Sequence, residues 1–505
     1  MAARTSPAYS ISADIETDQY KSLRCWQLSG SHQTIHPSIY HLLNYPPLGI
    51  QLASAAPPYV FRLSSQVKES LPTMPTMGFS PSALFSKTFL LTTFMLGLMV
   101  QVPLWIFIEL KKENRPRASW DLKRSMFVRL FKHAGEKLGY ELGLGIGGNH
   151  RDPRDQPSEA DQKEAQHVWI KPFPMEHIRG EIRDYVERAE VEPAKIGGYW
   201  YGRRGGRGEA PPPPGEDEKV IMHYHGGAYV MGTAHPEDIT AAISRGVIDH
   251  LGPTITRVFS LDYRVSSAPP YPLDSPFPAA LIDALAGYKH LLDFGFKPHN
   301  IIIMGDSAGG NLALATARYL VEEPVDGMPP PGALLLLSPW CDVTASHENS
   351  GDTASSLKNH HSDYLVNPNI ELAQWALRAF LGPMGVDEAT RNRFIAPGSL
   401  NLDPEKVPGM FAGFPRTYIV SGTAERILDE IRVTQQRMVE DLNCDEGKGP
   451  DGKLMRSRRA DGTFPWVTYD EVPDALHDFL MFPWHQPEVN QTFRRIDAWI
   501  QSLPA

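Results

Sequence analysis

The chain has 505 residues, 42% of them hydrophobic and 21% charged, and carries a formal charge of −10. That is a globular composition, and without a basic excess it excludes nucleic acid as a partner. Cys25, Cys341 and Cys444 are the only cysteines, too few and too scattered for a disulfide framework or a zinc site, although one Cys341–Cys444 bridge stays open.

Residues 1 to about 83 mix Pro, Ser, Thr and Gln with isolated apolar residues, and no helical or strand period persists. Such a segment cannot bury enough apolar surface to pack, so disorder is expected. It also lacks the basic start, apolar middle and small-residue cleavage site of a secretory signal. Between Lys87 and Glu109 lie 21 residues without a charge, TFLLTTFMLGLMVQVPLWIFI at 88–108. As a helix they would reach roughly 30 Å, the thickness of a hydrocarbon core, so residues 84–112 are a candidate single-pass membrane anchor. Trp105 sits near one end, and Lys111, Lys112, Arg115 and Arg117 follow, as at a membrane–water interface.

From Trp120 apolar residues recur at Leu122, Met126, Phe127, Leu130 and Phe131, a helical spacing. Gly-rich 142–148 and polar 150–166 break it, and four prolines at 211–214 mark an exposed loop. Residues 113–218 therefore read as a helical region preceding the main domain, which runs over 219–505. There, short apolar runs at 219–224, 255–261, 300–304, 333–337, 417–420 and 466–469 alternate with helical segments at 278–294, 308–321 and 427–442. The alternation predicts an α/β domain whose mainly parallel sheet is covered by helices on both faces.

The run Asn300–Met304 enters Gly305-Asp306-Ser307-Ala308-Gly309-Gly310 and then a helix. This G-x-S-x-G elbow between strand and helix makes Ser307 the candidate nucleophile, because glycines permit the strained turn that lifts the serine above the sheet. The strand at 219–224 ends in His225-Gly226-Gly227-Ala228. Its glycine amides can approach a developing oxyanion, so Gly226 and Gly227, with the amide of Ala308, are the expected donors, and Ala228 is a further one. His223 and His225 form an H-x-H pair, but no carboxylate or third histidine stands nearby in sequence, so no metal and no cofactor are expected.

A serine nucleophile needs a base and an orienting acid, and in this arrangement they follow in the order serine, acid, histidine. Glu425 follows the run at 417–420, and His477 follows the run ending near Val472. Each lies at the carboxyl end of a strand. Asp429 stands inside a helical pattern and reads instead as a first-turn residue.

These motifs resemble those of the hormone-sensitive-lipase-like α/β-hydrolases. HGGA at 225–228 is similar to HGGG and GDSAGG at 305–310 to the family elbow. Asp262-Tyr263-Arg264, PFPAALIDAL at 276–285, ERILDE at 425–430 and His477-Asp478-Phe479 resemble further family segments. Ala228 departs from the third glycine and Glu425 from the usual aspartate; a glutamate carboxylate still accepts the imidazole N–H. The resemblance implies an eight-stranded sheet and a mostly helical cap, drawn from about 118–205 and 345–400, with Tyr364, Trp375 and Phe380 as apolar lining.

Joined to the candidate anchor, it points toward fungal membrane-anchored esterases that remove acetyl groups from sterols or similar lipophilic alcohols. It also implies a single-pass location in the endoplasmic reticulum membrane. The substrate is then a small-molecule ester. An amidase, a formamidase or an acyl transferase would use the same three side chains, and a small-molecule receptor on this scaffold is disfavoured by the presence of His477.

Overall fold

The computed structural model describes residues 81–142, 152–155, 157, 164–206, 209–349, 351, 353–442 and 464–504. Residues 1–80 of the stretch expected to be disordered, most of the glycine-rich and acidic segments after 142, and Cys444 lie outside these residues, whereas 81–83 begin a helix; Cys341 is buried and free.

An eight-stranded sheet forms the centre, with strand order β1-β2-β4-β3-β5-β6-β7-β8. Its strands are β1 (Gln166–Ile170), β2 (Ile196–Gly202), β3 (Val220–Tyr224), β4 (Arg257–Asp262), β5 (Ile301–Asp306), β6 (Ala333–Leu337), β7 (Arg416–Gly422) and β8 (Val467–Val472). Strands β3 to β8 are mutually parallel, and β1 and β2 join antiparallel at one edge. The helices are α1 (Pro81–Glu109), α2 (Leu122–Leu142), α3 (Gly180–Ala189), α4 (Ala241–Leu251), α5 (Ala279–Phe294), α6 (Ala308–Glu322), α7 (Ser355–Lys358), α8 (Glu371–Leu381), α9 (Val386–Ala389), α10 (Leu428–Asp441) and α11 (Glu488–Gln501).

Each parallel strand is apolar along its length because both faces are covered. In β5, Ile301 and Ile303 point into a core shared with α5 and α6, whereas Ile302 and Met304 point into a second core with α4 and α11. This alternation is the period of two imposed by the pleat.

The register aligns the carboxyl ends of five strands. Tyr224 pairs with Gly305, Asp306 with Leu337, Leu337 with Val420, and Gly422 with Val472. The loops after β3, β5, β7 and β8 thus emerge along one edge, where ligand sites of open parallel sheets form.

One expectation needs correction. The sheet starts at Gln166 rather than at 219, because β1, α3 and β2 complete it instead of joining the cap. Of the region before the main domain, α2 does meet the 345–400 segment: Gly135 lies beside Val366 and Gly139 beside Leu372.

Candidate active site

Ser307 stands between β5 and α6 with φ 51° and ψ −116°, a backbone state that costs energy and persists only when its surroundings impose it. A Cβ at Gly305 would overlap the carbonyl of Gly309, and one at Gly309 would overlap that of Tyr224. Both glycines are therefore demanded by space, as the elbow pattern predicted. The Ser307 amide donates to the Leu337 carbonyl at 3.0 Å, and the Ser307 carbonyl accepts from the amides of Gly310, Asn311 and Trp340.

Asp306 joins this elbow to the glycine loop. Its Oδ1 lies 2.7 Å from His223 Nε2, and its Oδ2 accepts the Gly226 amide at 2.8 Å. His223 Nδ1 is in turn 2.9 Å from Ser244 Oγ. His225 turns elsewhere: its Nδ1 is 2.8 Å from the Gly226 carbonyl and its ring stacks on Tyr263 at 4.1 Å. Burial lowers the pKa of His225, so the ring is neutral and its Nδ1–H donates to that carbonyl. The H-x-H pair thus pins the loop from two sides.

That arrangement corrects one expected donor. The Gly226 amide already serves Asp306, so it is not turned toward a reacting carbonyl. Among the described residues, the amides of Gly227, Ala228 and Ala308 have no acceptor, and these are the available donors. Ala228 at φ 52° and Gly227 at φ 116° hold the loop in the left-handed region that aims such amides.

Glu425 and His477 meet, with Glu425 Oε2 accepting from His477 Nδ1 at 2.9 Å and both side chains buried. The other carboxylate oxygen of Glu425 accepts the Gly422 amide and, at 3.3 Å, the Ser338 hydroxyl. Asp429 behaves as a helix-start residue, accepting the Ser355 amide at 2.7 Å. Ser338 connects the parts: its hydroxyl reaches Glu425 and accepts the Asp478 amide at 3.2 Å, while its neighbours Leu337 and Trp340 bond the Ser307 backbone.

The sequence reading passed over one group. Asp478 Oδ2 lies 3.1 Å from His477 Nε2, the nitrogen a serine base must offer to the hydroxyl. Its other oxygen, Oδ1, is buried without a partner. Among the described residues no hydrogen bond joins the Ser307 hydroxyl to His477.

Burial alone would lower the His477 pKa, but Asp478 and Glu425 on its two nitrogens outweigh this and hold it well above the usual histidine range. Burial pushes the Asp478 carboxyl up to about 7 against the pull of the imidazolium. Glu425 is also raised by burial, with His477 opposing. His477 thus lies between two carboxyl groups, one at each ring nitrogen.

A cavity of about 190 Å³ opens on Ser307. Trp340, Val343, Leu365, Val366, Leu377 and Ile427 give it apolar walls, and an Arg426–Glu348 pair at 3.0 Å closes a polar end. Of the expected lining, Trp375 and Phe380 are instead buried within the packed cores, and Tyr364 lies with its ring 5.8 Å from that of His477. Glu430, part of the 425–430 motif but given no role there, accepts the amides of Cys341 and Asp342 at 2.8 and 3.1 Å beside the cavity.

Residues 221–445 match the profile of a family described as having the α/β hydrolase fold. Over 286 residues the chain is 26% identical to an acetyl-hydrolase of Streptomyces hygroscopicus, covering 57% of this chain and 75% of that protein. It is 32% identical over 245 residues to an esterase of Acinetobacter venetianus, covering 48% and 66%. A versiconal hemiacetal acetate esterase of Emericella nidulans is 26% identical over 245 residues, covering 47% and 74%.

Proposed function

Because this chain is a hormone-sensitive-lipase-like α/β-hydrolase and a carboxylic ester hydrolase, we propose that it removes a short acyl group, such as acetyl, from a lipophilic alcohol through an acyl-enzyme. The observation carrying this reading is the buried Glu425–His477 pair, tied through Ser338 and its neighbours to the strained Ser307 elbow. The cavity favours a short acyl group. It is smaller than the roughly 300–1,000 Å³ of sites that enclose a drug-sized ligand, which leaves the alcohol portion toward the cap. The acetyl-hydrolase and acetate esterase among the relatives support the same acyl class.

In the proposed sequence His477 Nε2 takes the proton as Ser307 Oγ attacks the carbonyl carbon. The oxyanion is met by the amides of Gly227, Ala228 and Ala308, and the N-terminus of α6 behind Ser307 favours the same negative charge. Glu425 holds the imidazole and stabilises its cation, His477 returns the proton to the departing alcohol, and water then releases the acid by the same path. The apolar helix α1 attaches the enzyme to a membrane, which suits a lipophilic alcohol partner.

Ser307→Ala should reduce turnover of p-nitrophenyl acetate by at least about 10³-fold while leaving circular dichroism unchanged. Turnover near that of the unaltered chain would end this assignment.

A further inference from the structure

The stretch Thr88–Glu109 has a mean hydropathy of 1.9, enough by length and composition to cross a bilayer. Its packing argues for another placement. Leu90, Phe94, Leu98, Val102, Trp105 and Glu109 recur at helical spacing and are at least half covered, whereas Phe89, Met99, Val100 and Phe107 are 63–73% exposed. The covered face lies on α2: Phe94 stacks on His133 at 5.5 Å, Trp105 meets the same ring at 5.4 Å, and Arg129 pairs with buried Glu109 at 2.7 Å.

The second helix cannot follow α1 into hydrocarbon. It carries Lys123, Arg124, Arg129, Lys132, Glu136 and Lys137, and charges at bilayer depth are strongly disfavoured. It is also fastened to the catalytic domain. Arg124 pairs with Glu488 at 3.1 Å, Phe127 packs on Trp484 at 4.7 Å, and Trp120, just before the helix, donates to the Asp474 carbonyl at 2.7 Å.

We propose that α1 lies in the plane of one membrane leaflet, its outer face in the acyl region and α2 at its back, and does not cross the bilayer. A helix apolar on every side must be covered on every side; here α2 covers one through His133 and Arg129, and lipid the other. Exposed Lys111 and Lys112 at its carboxyl end then meet anionic headgroups. The far side of α2 faces the cap segment beside the cavity, with Gly135 at Val366 and Gly139 at Leu372. One helix therefore separates the lipid surface from the wall of the ester pocket, and the substrate is drawn from that same leaflet. The placement rests on the membrane attachment read above and is independent of the assignment of Ser307.

The test uses sealed microsomes from cells expressing the full chain with Cys25 and Cys444 replaced by serine, and with a single cysteine introduced as Ser80→Cys or Glu113→Cys. A membrane-impermeant maleimide should treat the two positions alike, labelling both without detergent or neither until lysis. Labelling of one in intact microsomes and of the other only after lysis would show a crossing helix and overturn the placement. Recovery of the chain in the soluble fraction would overturn it as well. Hydrolysis of p-nitrophenyl acetate in the same preparations shows that the variants fold and reads the esterase assignment separately.

Discussion

A histidine with a carboxylate at each ring nitrogen favours its cation, and a cation cannot take a proton from serine. Asp478 lies against His477 Nε2, the nitrogen through which a serine base reaches its hydroxyl, so the proposed mechanism requires Asp478 to turn aside before His477 acts. The consequence for pH follows from the signs. Activity rises as pH climbs through the pKa of the free enzyme's base, and the pKa of His477 is held high in part by Asp478. Asp478→Asn should shift the acidic limb of the kcat/KM profile toward lower pH. An unchanged limb in that variant would show that the contact has no bearing on the base. At this scale the sequence was legible where order and strand edge constrain a residue: Ser307, Glu425 and His477 each stand after the carboxyl end of a strand, and the latter two meet. It was not legible where two candidates compete for one amide. The sequence offers Gly226 as readily as Gly227 for an oxyanion, and only the reach of Asp306 across from the neighbouring strand separates them.

Among the elements, the elbow shows how a short motif is enforced by its neighbours. α6 starts so close to β3 that position 309 has room for hydrogen alone. Gly309→Ala should abolish activity and also lower the thermal midpoint by at least about 2 °C, measured by differential scanning fluorimetry. A variant that kept its midpoint while losing activity would confine the requirement to chemistry. The parallel strands were visible as apolar runs because both their faces are covered. β2 was hidden for the opposite reason. Its Ile196-Gly197-Gly198 start resembles no strand, yet a side chain at 197 would strike His167 and one at 198 would strike Phe259. Those glycines are strand residues that let neighbouring side chains lie across them, a need set by partners far away in sequence.

At the scale of the whole molecule, the apolar helix α1 and the Ser307 site are separate parts joined by α2. Among the described residues, none of the hydrogen bonds that shape the Ser307, Glu425 and His477 region comes from α1. A chain beginning at Glu113 should therefore keep the kcat/KM of the full chain on p-nitrophenyl acetate, assayed in dilute detergent. A large loss would mean that α1 supports the pocket as well as the attachment. The sequence announced the apolar helix plainly, but composition could not say on which side it packs, because that depends on which face of α2 is left open by the catalytic domain.

The order in which these parts leave the ribosome adds a last consequence. Of these parts, α1 precedes the sheet in chain order. The hydroxyl of Ser307 follows midway, without its base. His477 comes only after β8, the final strand, which must dock against β7 before the imidazole has its carboxylate. A product cut short before His477 thus carries the Ser307 elbow without the Glu425–His477 pair.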